Sequence, residues 1–173
     1  MSDLLPAPTV TTATHAEKPV IGRLLQLYLH DFSGLAGAAG PNGLIGDDGV
    51  FSYEHFDSYW EDADREALLF RVGHRLVGFA LVNGWSASGM EMDRGIAEFF
   101  VLRKYRRTGP GTHAASEIVR RDRAVREIAV ADYNPPAQGF WRAAAPSMTG
   151  YTYRKIEGDG QRWSGPIWRL EPG

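Results

Sequence analysis

Val20, Ile21, Leu24, Leu25, Tyr28 and Phe32 are spaced by the three- and four-residue steps that keep side chains on one helix face. They predict an amphipathic helix from Glu17 to about Asp31. Ahead of it, "TVTTAT" (9–14) reads as a short strand from its β-branched residues, and residues 1–8 as a flexible tail. "SGLAGAAGPNGLIGDDG" (33–49) is too rich in glycine for a regular element and reads as loop. "YEHFDSYWED" (53–62) predicts a second, short helix with Phe56 and Trp60 turned inward.

"ALLFRV" and "RLVGFALV" flank Gly73-His74. Glycine at the first central position suits a type II′ turn, so an antiparallel hairpin is predicted. "GIAEFFVLR" (95–103) is a strand, with Ile96, Glu98, Phe100 and Leu102 on one face and Ala97, Phe99 and Val101 on the other. The helix after Gly111 carries Ala114, Ala115, Ile118 and Val119 along one stripe, and "REIAVAD" (126–132) is another buried strand. Asn134 is a natural N-cap with Pro135 as the first helical residue; Ala137, Phe140, Trp141 and Ala144 continue that helix. "TGYTYRKIEGDGQRWSGPIWRL" (149–170) reads as two strands around "GDG". The order β-α-α-β-β-β-α-β-α-β-β describes an α/β (α+β) domain over 9–173, a mixed sheet with helices on its faces.

Composition narrows the classes of function. A chain of 173 residues suits one domain, and 43% hydrophobic with 23% charged residues excludes wholesale disorder. A net charge of -2 argues against a nucleic-acid partner, whose footprint is basic. The chain has no cysteine, which removes disulfides, thiolate metal sites and a cysteine nucleophile together, and fits a reducing cytoplasm. "MSDLLPAPTV" lacks the basic start and apolar run of a signal peptide, and no stretch approaches the roughly 20 apolar residues of a membrane span. A cytoplasmic protein with no membrane partner is expected. His15, His30, His55, His74 and His113 show no metal-ligand spacing, so no metal is expected, and no G-x-S-x-G nucleophile motif is present.

The densest chemical signal is "KYRRTGPGTHAASEI" (104–118), which gathers arginines, a Gly-Pro-Gly turn and a helix start. Together these make a site for an anion with several phosphate oxygens. A P-loop is excluded because no Lys-Ser or Lys-Thr follows the glycines. A dinucleotide-binding fold is a rival: Gly109-Pro110-Gly111-Thr112-His113-Ala114 satisfies G-x-G-x-x-A, and Asp132 lies 23 residues beyond Gly109. That motif should open the first βαβ unit of a parallel sheet, whereas here it follows a predicted antiparallel hairpin. A solvated basic turn capping a helix is the structural alternative.

Arg106-Arg107-Thr108-Gly109-Pro110-Gly111 also matches R-x-x-G-x-G, between the strand "AEFFVL" and a helix. This resembles the acyl-coenzyme A signature of the GNAT acetyltransferase superfamily. "NPPAQGFW" (134–141) is similar to the family's later N-x-x-A-x-x-F-Y segment. "EFFVLRKYRR" and "RWSGPIWRL" look like a subgroup known as predicted acetyltransferases. The resemblance implies a mixed, mostly antiparallel sheet of about six to seven strands flanked by about four helices. It also implies acetyl-CoA as acyl donor and an N-acetyltransferase acting on a primary amine, with a non-catalytic acyl-CoA-binding sensor as the alternative.

The residues can be assigned on that footing. Gly109 and Gly111 let the backbone approach a diphosphate, with Thr108 and Thr112 beside them, while Arg106 and Arg107 pair with the anion or steer it in. Pro110 has no N–H to donate; as the first helical residue it would lose nothing. The resemblance places the backbone that pairs with the pantetheine arm on Phe100, Val101 and Leu102, and puts Asn134 and Trp141 on the cofactor side. Glu98, a charge inside an apolar strand, is the candidate base for the amine proton, and burial would raise its pKa; Asp93 and Glu91 are reserves. A structural pair with an arginine, or a place at a wet strand edge, is the alternative for Glu98.

Many relatives carry a tyrosine, which protonates the leaving sulfur, where this chain has Trp141. An indole N–H cannot act as a general acid. Water, Tyr133, Tyr151 or Tyr153 would have to replace it. Asp47, Asp48, Glu54, Asp57, Glu61, Asp62, Asp64 and Glu66 face a single Arg65 within 47–66, which suggests a cationic amine acceptor, small molecule or peptide, or else a solvated acidic face. With no cysteine, transfer should be direct, in a ternary complex. Exposed sheet edges would allow a homodimer.

Overall fold

A computed structural model of the chain describes residues 5–35 and 45–173. Seven strands form one sheet: β1 (Thr9–Thr12), β2 (Glu66–Val72), β3 (Arg75–Asn83), β4 (Arg94–Val101), β5 (Arg126–Ala129), β6 (Tyr151–Glu157) and β7 (Pro166–Pro172). Their order is β1-β2-β3-β4-β5-β7-β6, antiparallel throughout except where β4 meets β5. Three α-helices are present among the described residues: α1 (Lys18–Ser33), α2 (Pro110–Arg120) and α3 (Pro135–Ala144). None of the described helices is long and apolar enough to cross a membrane.

Each face of the sheet has its own core. The apolar stripe of α1, Ile21, Leu24 and Leu25, packs with Leu69, Phe79, Leu81 and Phe100. On the other face Ala114, Ala115, Ile118 and Val119 of α2 and Trp141 and Ala144 of α3 pack with Leu68, Phe70, Ile128 and Trp168. The hairpin turn has Gly73 at φ 59, with no positive φ at His74, which is the II′ pattern.

The expected second helix, 53–62, is not an α-helix. Only a single 3₁₀ turn, Asp57–Trp60, forms there, so three α-helices stand where about four were expected. His55 sits at φ 63, which breaks the helical run before it can begin. Phe56 and Trp60 do turn inward, their rings 5.1 Å apart, but the buried residue is Tyr59. The glycine-rich segment read as loop begins inside α1, which extends to Ser33, and its residues 36–44 lie outside the described residues, as do residues 1–4 of the tail.

β4 departs from the strict alternation read from its sequence. Leu81 pairs with Glu98 but Val82 pairs with Ile96, so Ala97 is an extra residue, a β-bulge. The bulge reverses the facing of everything before it. Ile96 therefore joins Val101 in the core under α2 and α3, while Phe100 stays in the core under α1.

The parallel contact between β4 and β5 is short: only Arg94–Arg126 and Gly95–Glu127 pair. Asp93 pins that end, its N–H donating to Val125 O (3.0 Å) and its Oδ2 accepting from Val125 N (2.7 Å). Beyond it the strands diverge. Phe99 of β4 packs edge-on to Trp141 (centroids 5.3 Å apart) and stacks on Phe140 (5.5 Å), both from α3. These bulky rings keep the gap open on that face.

α3 is positioned by its cap, the Asn134 side chain accepting from Ala137 N at 3.2 Å. Asn134→Ala is expected to lower stability by about 1 kcal/mol, read as a lower urea midpoint at unchanged m. Asn134→Asp keeps an acceptor and should stay near wild type. Equal loss in both variants would contradict a capping role.

Candidate functional site

Divergence of β4 from β5 leaves a cleft with two halves. One, about 810 Å³, lies at the start of α2; the other, about 770 Å³, reaches back to the strand junction. Tyr28, Phe32, Phe99, Asn134, Ala137 and Trp141 line both halves, so they are continuous.

The backbone of β4 shows which groups face the gap. Leu102 N donates to Val77 O of β3 at 2.9 Å. Antiparallel pairing alternates, so Phe100 also bonds toward β3, while Phe99 and Val101 turn theirs toward the gap. Of the three residues expected to offer backbone to an extended arm, Leu102 is thus spent on β3 and lines neither half, and Phe100 contributes its ring to the wall. Val101 remains, and Phe99 joins it. The Val101 carbonyl accepts from Arg106 Nε (2.8 Å), which leaves its N–H to a ligand.

At the start of α2, Gly109 adopts φ 102, a conformation open to glycine, and Pro110 is the first helical residue. His113 N closes the first helical turn on Gly109 O (3.3 Å). The missing N–H of Pro110 therefore costs no helix bond, and the amides of Gly111 and Thr112 precede the ladder. A Cβ at residue 111 would lie 3.4 Å from Phe140 Cε2 and from Val101 Cγ2, so glycine lets α2 start close against these two side chains. Gly109, Gly111 and Thr112 line the cleft; Thr108 does not, because its hydroxyl donates to Tyr105 O at 2.9 Å.

The two arginines separate in role. Arg106 is tied to the protein through Val101 O and through Asp31 Oδ2 at 2.7 Å, with its guanidinium 5.4 Å from the Phe100 ring centre. Arg103 reaches the same carboxylate at 2.6 Å. Burial acts to raise the Asp31 carboxyl, but its bonds to Arg103 and Arg106 outweigh that and hold it below the ordinary carboxylate range. Arg107, at φ 62, lines the cleft with no side-chain ion pair or hydrogen bond among the described residues. Helix start, glycine cradle and free guanidinium together fit a diphosphate.

In the other half, Glu98 is half-buried beside the bulge. Tyr28 Oη donates to its Oε2 at 2.5 Å and Tyr53 Oη to its Oε1 at 3.0 Å. Burial pushes the Glu98 carboxyl up; the two hydroxyls, which stabilise the charged form, draw it only part of the way back. Burial and then the charge of Glu98 hold both tyrosines above the ordinary phenol value, so they remain donors. No arginine pairs with Glu98 among the described residues, so the structural ion-pair alternative is not what forms.

The reserves lie elsewhere. Asp93 is spent on Val125, Glu91 offers its carbonyl to Arg169 (2.7 Å), and neither lines the cleft. Trp141 is 3% exposed and lines both halves from the core below. Of the three tyrosines that could replace an acid there, only Tyr133 lines the cleft; the Tyr151 hydroxyl donates to Val119 O and Asp122 O, and Tyr153 is on the edge strand β6. Of the acidic run at 47–66, Glu54 alone lines the cleft, while Asp57 pairs with Lys18, Asp62 with Arg65 and Glu66 with Arg121. No group of three or more His, Asp or Glu among the described residues could hold a metal.

Sequence reasoning missed Tyr28 and Tyr53 on Glu98, Asp31 on the arginines, and Phe99 as a gap-facing residue. It also missed a wall of Trp85 and Trp163, from the β3–β4 and β6–β7 connections (rings 6.3 Å apart). The dinucleotide alternative falls with the topology. β4 has antiparallel β3 on one side and two parallel residue pairs on the other, so no doubly wound sheet exists.

Among solved structures, an acetyltransferase from Thermus thermophilus is similar at 17% identity over 100% of both chains, TM-score 0.67. A GNAT-family acetyltransferase from Staphylococcus aureus is 12% identical over 94% of this chain and 98% of its own, TM-score 0.62. The ribosomal-protein-S18-alanine N-acetyltransferase from Escherichia coli is 12% identical over 95% and 93%, TM-score 0.54. At such identities the likeness is one of fold. No curated protein sequence matches the chain. The family model "Acetyltransferase (GNAT) family" matches residues 24–145, which include the diverging strands, the glycine turn and α3. With the cleft, the anion cradle and this match together, the chain belongs to the acetyltransferase (GNAT) family of acyltransferases.

Proposed function

We propose that the protein moves an acetyl group from acetyl-CoA directly to a primary amine, with donor and acceptor bound together in the cleft. The observation that carries this reading is the unpaired β5-facing edge of β4, which runs between the anion cradle at α2 and the carboxylate of Glu98. Bound there, acetyl-CoA supplies an acetyl thioester. The amides of Gly111 and Thr112, with the positive end of α2 and Arg107, hold the diphosphate. The gap-facing amides of Phe99 and Val101 pair with the pantetheine arm as a further strand would, and one of them can polarise the thioester carbonyl.

Glu98 accepts the proton that the amine gives up. An alkylamine titrates near 10.4, so at neutral pH it arrives charged and must be deprotonated. A carboxyl raised above its ordinary range is a better base for that task than a solvent-exposed one. Tyr28 and Tyr53 aim its two oxygens, and their hydroxyls stay protonated at neutral pH. Tyr133, the lining tyrosine on the β5–α3 connection, is the side chain suited to return a proton to the departing sulfur. The absence of cysteine excludes an acyl-cysteine route and favours direct transfer.

Calorimetry with acetyl-CoA tests the cradle. Gly111→Glu places both bulk and negative charge where the diphosphate would lie, and affinity is expected to drop by about 100-fold or more. A folded variant that binds as wild type removes the assignment.

The base is tested by a pH profile. Glu98→Gln should lower kcat/KM by about 10²–10⁴-fold with unchanged acetyl-CoA affinity. In wild type kcat/KM should rise with pH as Glu98 loses its proton, on an acid limb lying above the ordinary carboxylate range, and the variant should lack that limb. A profile with the same limb in both proteins assigns the base elsewhere.

A further inference from the structure

The half of the cleft that would take the amine is walled by aromatic rings and is lined by carboxylates but by no cationic side chain. Phe51, Tyr53, Trp85, Tyr133 and Trp163 line it, and its charged lining side chains are Glu54, Glu98 and Glu127. No Lys, Arg or His is among the lining residues, and residues 36–44, outside the described part, contain none in their sequence. Glu127 is already matched, by Arg169 Nη1 at 3.0 Å and by the hydroxyls of Ser86 and Ser88. Arg162 lies 5.4 Å from the centre of the Trp85 ring, donates Nε to Ser86 O at 2.6 Å and is not part of the lining. The donor half has the opposite character, with Arg103, Arg106 and Arg107 against Asp31 alone.

Resting on the transfer reading above, we propose that the acceptor is an arylalkylamine with no carboxylate or phosphate beside its amino group. The aromatic body has ring faces to meet on Trp85 and Trp163, whose planes are inclined at 65°. The ammonium group is drawn in by Glu54 and by the ring faces before Glu98 takes its proton. A free α-amino acid would carry a carboxylate two bonds from the reacting nitrogen. That charge would enter a cation-free pocket beside Glu98, desolvated, unpaired and repelled. The cleft therefore discriminates by what it lacks as well as by what it contains. In the transfer itself the amine nitrogen bonds to the acetyl carbon as the carbon–sulfur bond breaks. The sulfur keeps the bonding pair and takes the proton that the nitrogen sheds on becoming an amide, while Glu98 holds the one the ammonium gave up before attack.

Phenethylamine, phenylalanine amide and phenylalanine share one aromatic body and differ at the carboxylate position. Titrating each into the protein with saturating coenzyme A, followed by calorimetry, reads binding without requiring turnover; thiol release with acetyl-CoA is followed in parallel. Phenethylamine and the amide should bind and react alike, and phenylalanine should bind about 100-fold or more weakly. Trp85→Arg, at a position 46% exposed, should narrow that gap about tenfold or more by supplying the missing cation. Phenylalanine binding as well as phenethylamine, or butylamine binding as well as either aromatic amine, overturns the proposal, as does the absence of any saturable signal. Saturation by phenethylamine with no thiol release supports the pocket's specificity and counts instead against the transfer reading.

Discussion

A parallel strand pair that stops bonding after two residue pairs leaves peptide groups on both strands without partners. An unpaired buried peptide group costs about 1–3 kcal/mol, so such a gap persists only where water or a ligand can reach it. Here the junction is fixed at one end by Asp93 on Val125 and by Glu127 on Arg169, Ser86 and Ser88. Burial acts to raise the Glu127 carboxyl, but the serine and arginine bonds hold it below the ordinary range, so the charge network stays intact at neutral pH. At the other end Phe99, Phe140 and Trp141 fill the space beneath the gap. The cleft is the consequence of a pinned junction and a propped opening.

Chemistry is distributed along that opening by charge. Where β4 leaves the sheet, the turn into α2 concentrates backbone amides and guanidinium groups, and Asp31 of α1 binds two of those arginines so that the turn keeps its shape. Towards the junction the same strand turns Glu98 inward beside the bulge at Ala97, where α1 and the 45–56 segment each contribute a tyrosine to it. One short strand thus carries a raised carboxyl at its middle and gap-facing amides in its last three residues, and leads on to the cradle at the start of α2. Few side chains need to be placed independently for the two reactants to meet.

Much of this was legible in the residues because it is local. Asn134 as cap, Gly73 in its turn, the α2 stripe and the glycine cradle depend on a handful of neighbours in sequence, and backbone preference decided them. What escaped is long-range or a local exception. The pairing of Glu98 with Tyr28 and Tyr53 spans 70 and 45 residues, and nothing in the spacing of a strand announces which hydroxyl another element will bring. Asp31 meets Arg106 across 75 residues, so a guanidinium that lines the cleft is also a brace for the turn. The bulge at Ala97 adds one residue to an otherwise regular alternation, so strict alternation puts the residues before it on the wrong face. The second helix failed because the aromatic spacing of 53–62 is satisfied equally by a single 3₁₀ turn once His55 takes a left-handed backbone.

The central claim is that an acyl carrier lies along the gap side of β4 with its phosphates at the start of α2. Amide hydrogen exchange, resolved to single residues with and without acetyl-CoA, tests it most directly. Slowed exchange at Phe99, Val101, Gly111 and Thr112, with little change at Leu102, whose amide is already bonded to Val77, is the predicted result. Saturating acetyl-CoA that leaves those four amides unprotected would contradict the account.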